Sequence, residues 1–211
     1  MSRKMKIMIS SSVYGIEELL DRIYSLLTSF GYEVWLSHKG TLPVNSSKSA
    51  LENCLQAVND CDLFLGIITP CYGSSKADAS GLSFTHQEMR KAIETHKPRW
   101  FLAHSNVVFA RQFLRDLGYK DSLSKKALKL KNNASSIDNL RVIDMYEDAT
   151  QNDVSLQERQ GNWVQKFILD DDAQLFAVAQ FSRYIEVEAF IEENFKSLRM
   201  DTNAIEKGSN S

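Results

Sequence analysis

Asp62-Leu-Phe-Leu-Gly-Ile-Ile-Thr-Pro70 and, after a loop of Gly, Ser and Asp, Gly81-Leu-Ser-Phe-Thr-His-Gln-Glu-Met-Arg-Lys-Ala92 decide the fold. Leu63 to Ile68 has no polar face, the mark of a central parallel strand buried on both sides. The second stretch opens a helix that runs from about Phe84 to His96 and is broken by Lys97-Pro98. A buried strand leading through a loop into a helix is half of a βαβ unit. In sheets built from such units, ligands sit in the crevice beyond the strands' carboxyl ends. The first turn of this helix is expected there, with one carboxylate in it, Glu88.

On the amino-terminal side, Met5 to Ser10 reads as a short buried strand ending in the cluster Ser10-Ser-Ser12. Ile16, Leu19, Leu20, Ile23, Leu26, Leu27 and Phe30 form one apolar stripe at helical spacing, and Gly31 is the natural stop. Tyr32 to Leu36 is a second strand, residues 39–49 a long polar loop, and Leu51, Cys54, Leu55 and Val58 a short helix. On the carboxyl side, Trp100 to Ala103 is expected as a fourth strand, Val107 to Leu117 as a helix and Leu140 to Met145 as a fifth strand. Residues 121–138 are polar and basic, with no clear element. Trp163 to Phe181 is apolar without a clear period, and Val187, Phe190, Ile191, Phe195 and Leu198 mark a closing helix. The expectation is an α/β protein with a flavodoxin-like, five-stranded parallel sheet and helices on both faces. Residues 1–146 would form that domain, 147–198 a mainly helical extension packed on it, and 199–211 a flexible tail.

The chain has 211 residues, 43% of them hydrophobic, an ordinary globular balance for one sizeable domain. Lys and Arg number 25 against 27 Asp and Glu, a net charge of −2, which gives no electrostatic case for nucleic acid or an anionic membrane. Cys54, Cys61 and Cys71 have no paired spacing and suit a reducing cytoplasm better than a disulfide framework. The amino terminus lacks the apolar length of a signal peptide, and no stretch approaches the roughly 20 apolar residues that span a bilayer. The expected protein is cytoplasmic.

Two readings stand for Glu88. Thr85-His-Gln-Glu88 fits a helix capping box, in which Thr and Glu each satisfy a free backbone N–H. Glu88 also flanks the stripe Met89, Ala92, Ile93 and His96, which puts it at the edge of the buried face and near the strand ends. Burial would raise its pKa and the helix N-terminus would lower it. Ser10 and Ser11 are candidates to hold a ribose or phosphate, with helix capping by Ser12 as the plainer alternative. In Thr69-Pro-Cys-Tyr-Gly-Ser74, Tyr72 is a candidate to stack on a base and Gly73 to admit a phosphate, against a simple turn. Cys71 has no His or Asp partner in view for nucleophilic work. His38, His86, His96 and His104 show no metal-ligand spacing, His86 reading as a surface side chain, and Lys125, Lys126, Lys129 and Lys131 read as a solvated face. There is neither a GxGxxG nor a Walker loop.

Ile7-Met-Ile-Ser-Ser-Ser12, Cys61 to Ile68, Tyr72-Gly73 and Ser83 to Ala92 together resemble a bacterial TIR-like domain family long labelled a domain of unknown function. That family is similar to Toll/interleukin receptor (TIR) domains and, more distantly, to nucleoside deoxyribosyltransferases. The resemblance covers residues 4–146. Enzymatic TIR domains place an aromatic and a small polar residue four and three positions before a catalytic glutamate. Phe84 and Thr85 stand so before Glu88, with phenylalanine where tryptophan is more usual. The resemblance implies Glu88 as catalytic residue and NAD as substrate, not prosthetic group. Ser10, Ser11, Tyr72, Gly73, Ser83, Phe84 and Thr85 would be the substrate contacts. It implies cleavage of the nicotinamide–ribose bond by hydrolysis, cyclisation or ADP-ribosyl transfer, in antiviral defence. A homo-oligomer or a partner defence protein would be its company. Two rivals remain. One is a non-catalytic TIR-like interaction module. The other is a deoxyribosyltransferase-like enzyme, for which Asp78 is a candidate base contact.

Overall fold

The computed structural model describes residues 3–73, 81–131 and 134–195; Asp78 and the tail expected from residue 199 lie outside them. The strands are β1 (Lys6–Ser11), β2 (Glu33–Trp35), β3 (Leu63–Ile68), β4 (Arg99–His104) and β5 (Val164–Phe167). All neighbours pair in parallel, in the order β2-β1-β3-β4-β5. This is the flavodoxin-like order, and its switch point lies between β1 and β3. The helices are α1 (Glu17–Ser29), α2 (Ala50–Asp60), α3 (Phe84–Glu94), α4 (Ser105–Asp116), α5 (Ser122–Lys126), α6 (Arg141–Thr150) and α7 (Asp170–Phe181), and residues 184–195 form a further helix.

Strand alternation divides the core in two. Ile7, Ile9, Leu63, Leu65, Ile67 and Leu102 face α1, α7 and the helix at 184–195, through Leu20, Ile23, Phe176, Phe181 and Ile191. Met8, Phe64, Ile68, Phe101 and Ala103 face α2, α3, α4 and α6, through Val58, Met89, Val107 and Ile143. Each face buries a full apolar layer, at about 25 cal/mol per Å² removed from water. No described helix is long and apolar enough to cross a membrane.

The fifth strand corrects the sequence reading. Leu140 to Met145 is not a strand but the start of α6, whose Val142, Ile143, Met145 and Ala149 are buried at helical spacing. A short apolar run carries no period that separates the two states. The true β5 lies in the stretch expected as an extension: residues 147–198 supply both the sheet's edge strand and α7. Residues 39–49 are indeed mostly irregular. Asn53 of α2 ties them down, its Nδ2 donating to the carbonyls of Asn45, Lys48 and Ser49 and its Oδ1 accepting from Asn45 N–H.

Candidate functional site

Helix α3 begins one residue after Ser83, whose Oγ accepts from His86 N–H at 3.2 Å. Ser83, not Thr85, is therefore the cap. The helix starts earlier than the capping-box reading requires, so Glu88 falls in its second turn rather than its first, released from end-capping. Glu88 is only 6% exposed. Ser10, at the carboxyl end of β1, donates its hydroxyl to Glu88 Oε2. The Cys54 thiol of α2 hydrogen-bonds the same carboxylate. Burial raises the Glu88 pKa, and these two bonds reduce the rise without cancelling it. Burial, with the neighbouring carboxylate, pushes the Cys54 thiol up to about 12, so it serves as a neutral donor and not as a nucleophile.

Gly66 explains how α3 comes this close. It pairs with Ser10 in the sheet, and a Cβ there would lie 2.7 Å from Phe101 Cδ1 and 3.0 Å from Met89 Cε. Met89 is the neighbour of Glu88. A glycine inside a buried strand marks such a close approach, and Gly66 is the one sequence signal for it.

Around this carboxylate the other expected contacts sort themselves. Ser11 is partly exposed, and its hydroxyl donates to the carbonyls of Ile67 and Ser12. Ser12 does not cap α1, whose N-cap is Ile16 with no side-chain bond. It instead joins the ends of β1 and β3, pairing with Thr69 Oγ1 at 2.6 Å and donating to Cys71 O at 2.7 Å. Gly73 is exposed at φ +82°, a left-handed conformation that favours glycine, and a Cβ there would be 3.4 Å from Ser12 Cβ. Thr85 is buried and Phe84 half-buried against the core on this face. Burial, with Asp138 nearby, raises the Cys71 thiol pKa.

Tyr72 and His86 depart furthest from expectation. Tyr72 is 1% exposed and His86 fully buried, so neither ring lies open in a crevice. The Tyr72 hydroxyl lies 2.8 Å from His86 Nδ1, and His86 Nε2 lies 2.8 Å from Asp148 Oδ2 on α6. Arg90 Nε donates to the same oxygen at 2.5 Å. Burial pushes the Asp148 pKa up, but the bonds from His86 and Arg90 outweigh it and hold the carboxyl below its usual range. An ionised Asp148 accepts from Nε2–H, which leaves Nδ1 to accept the Tyr72 proton. Burial raises the Tyr72 pKa, and the nearby Ser83 polar groups reduce the rise without cancelling it. Tyr72 N–H is held by Asp138 Oδ1 at 2.8 Å. The side chain read as a base-stacking platform thus fastens the β3–α3 loop to α3 and α6. Asp138 and Asp148 lie 66 and 62 residues from their partners, a separation that leaves no local signal.

Chemically, the arrangement is a buried carboxylate with two fixed donors at the sheet's switch point, on a helix whose entry loop is pinned. Such a group stabilises positive charge developing on a sugar ring. Among the described residues no group of three or more His, Cys, Asp or Glu is placed to hold a metal ion. Residues 6–161 match the family described as "Domain of unknown function (DUF4062)". No curated protein matches the chain.

Proposed function

This chain belongs to the DUF4062 family, and from that premise we propose that it is a TIR-like enzyme that cleaves the nicotinamide–ribose bond of NAD, with Glu88 as its catalytic residue. The observation that carries the reading is the Glu88 carboxylate, free of its helix cap and hydrogen-bonded by Ser10 at the end of β1. In NAD the pyridinium is already a cationic leaving group, so no general acid is required. The C1′–N bond breaks with its electron pair going to the nicotinamide nitrogen, and the ribose becomes oxocarbenium-like. Glu88 opposes that charge while water, or a second acceptor, attacks C1′ and gives up a proton. Carboxylates in glycosidases act by the same logic. The hydroxyl of Ser11 and the turn at Gly73 border the same strand ends, where ribose and phosphates would lie. On this reading the protein works in the cytoplasm in antiviral defence, alone, as an oligomer or with a partner.

The test is incubation of the purified chain with NAD, following nicotinamide by chromatography for wild type and Glu88→Ala. Release by the wild type and its loss in the variant support the reading. Base exchange on a deoxynucleoside with NAD inert would replace it by the transferase alternative. One observation favours an interaction module: Phe109, Phe113 and Leu117 form an exposed stripe on and just beyond α4, the two rings stacked at 5.9 Å. Concentration-dependent assembly without any nucleotide turnover would decide for it.

A further inference from the structure

We propose that the cavity between α5, the segment that follows it and the first turn of α6 binds a phosphorylated small molecule of about mononucleotide size. The cavity has a volume of about 410 Å³ and includes none of Ser10, Cys54 or Glu88 in its wall. Its volume falls within the roughly 300–1,000 Å³ of small-molecule sites and is far larger than a lone phosphate needs.

The charge of the wall decides the ligand class. Lys125 is only 3% exposed, against the expectation of a solvated face, and its Nζ lies 2.6 Å from both Asp144 Oδ1 and Glu147 Oε2. Arg111 pairs with Glu147 at 3.2 Å. These two cations and two anions cancel. The wall then keeps Lys126, Lys129 and Arg141 against one carboxylate, Asp138, which is engaged by Tyr72 N–H. Lys126 and Lys129 are exposed and have no ion-pair partner among the described residues. Arg141 is fixed by donating to Gly81 O, and its own N–H is held by Asn139 Oδ1 at 3.0 Å. Three cations on one concave wall, beside the positive end of a ten-residue helix, select a phosphate. Leu128 and Leu140 give the wall an apolar side suited to a ring.

The experiment is calorimetric titration of the full chain with three probes: adenosine diphosphate, inorganic pyrophosphate and adenosine. Adenosine diphosphate is expected to bind, pyrophosphate to compete with it, and adenosine to do neither. The double substitutions Lys126→Glu/Lys129→Glu and Lys126→Gln/Lys129→Gln, at exposed positions, should weaken binding at least tenfold with unchanged melting temperature. Glu88→Gln should leave it intact, which separates this site from the catalytic reading. Nucleotide binding that survives both double substitutions, binding that is lost in Glu88→Gln, or no binding of either phosphate probe at millimolar concentration overturns the proposal.

Discussion

Replacing Tyr72 by Phe removes one oxygen and keeps the ring, so the core loses no volume and the effect reports hydrogen bonding alone. That oxygen donates to the fully buried His86. Without it, His86 Nδ1 loses its partner in a site water does not reach. A buried polar group left unsatisfied costs about 1–3 kcal/mol. At about 2–4 °C per kcal/mol for a chain of this size, the melting temperature should fall by roughly 2–12 °C. Thermal unfolding followed by circular dichroism, checked by urea titration at constant slope, reads it. The two roles for Tyr72 predict opposite results. A ring stacked on a ligand works equally well as Phe, so both stability and nucleotide affinity would survive. A melting temperature within about 1 °C of wild type would refute the buried chain Tyr72–His86–Asp148.

Three further substitutions probe the surroundings. Because burial holds the Glu88 pKa above its usual value, the contribution of this group to stability is full at acid pH and is lost as pH rises through the folded value; Glu88→Gln should therefore melt higher than wild type at pH 7–8, with the gap closing below about pH 4, near the ordinary carboxyl value. Gly66→Ala drives a methyl against Phe101 and Met89, and should destabilise by about 1–3 kcal/mol and shift α3, lowering any Glu88-dependent rate by more than the change in folded fraction explains. Lys125→Met leaves Glu147 with Arg111 and takes from Asp144 its ion pair; since both carboxylates keep some exposure, the loss should be about 2 kcal/mol, between surface and buried pairs, and chemical denaturation measures it.

The sheet was legible where burial on both faces leaves a compositional trace. Leu63 to Ile68 is apolar at every position and falls where the sequence reading put it. The stripe of α1 did the same for a helix buried on one face. The edge was not legible. In β5 the central residues Gln165 and Lys166 are not buried, because an edge strand has one open side, and so Val164–Phe167 reads as nothing in particular. The apolar run Val142, Ile143 and Met145 then offered a false substitute. At the site, Ser83 and Thr85 are both competent caps two residues apart, and sequence alone does not choose between them. Packing chooses Ser83, and that choice turns Glu88 from a cap into an inward-facing carboxylate. Cys54 and Asp148 reach the site only through tertiary contact, from other helices.

The most direct test of the central claim is the initial rate of nicotinamide release from NAD by Glu88→Gln relative to wild type, both shown to be folded. Gln keeps the shape and can still accept the Ser10 hydroxyl, but it carries no charge. The account predicts measurable release by the wild type and a loss of about a hundredfold or more in the variant, the scale of removing one electrostatic stabiliser from a transition state. A variant within threefold of wild type, or a wild type that releases no nicotinamide, would contradict it.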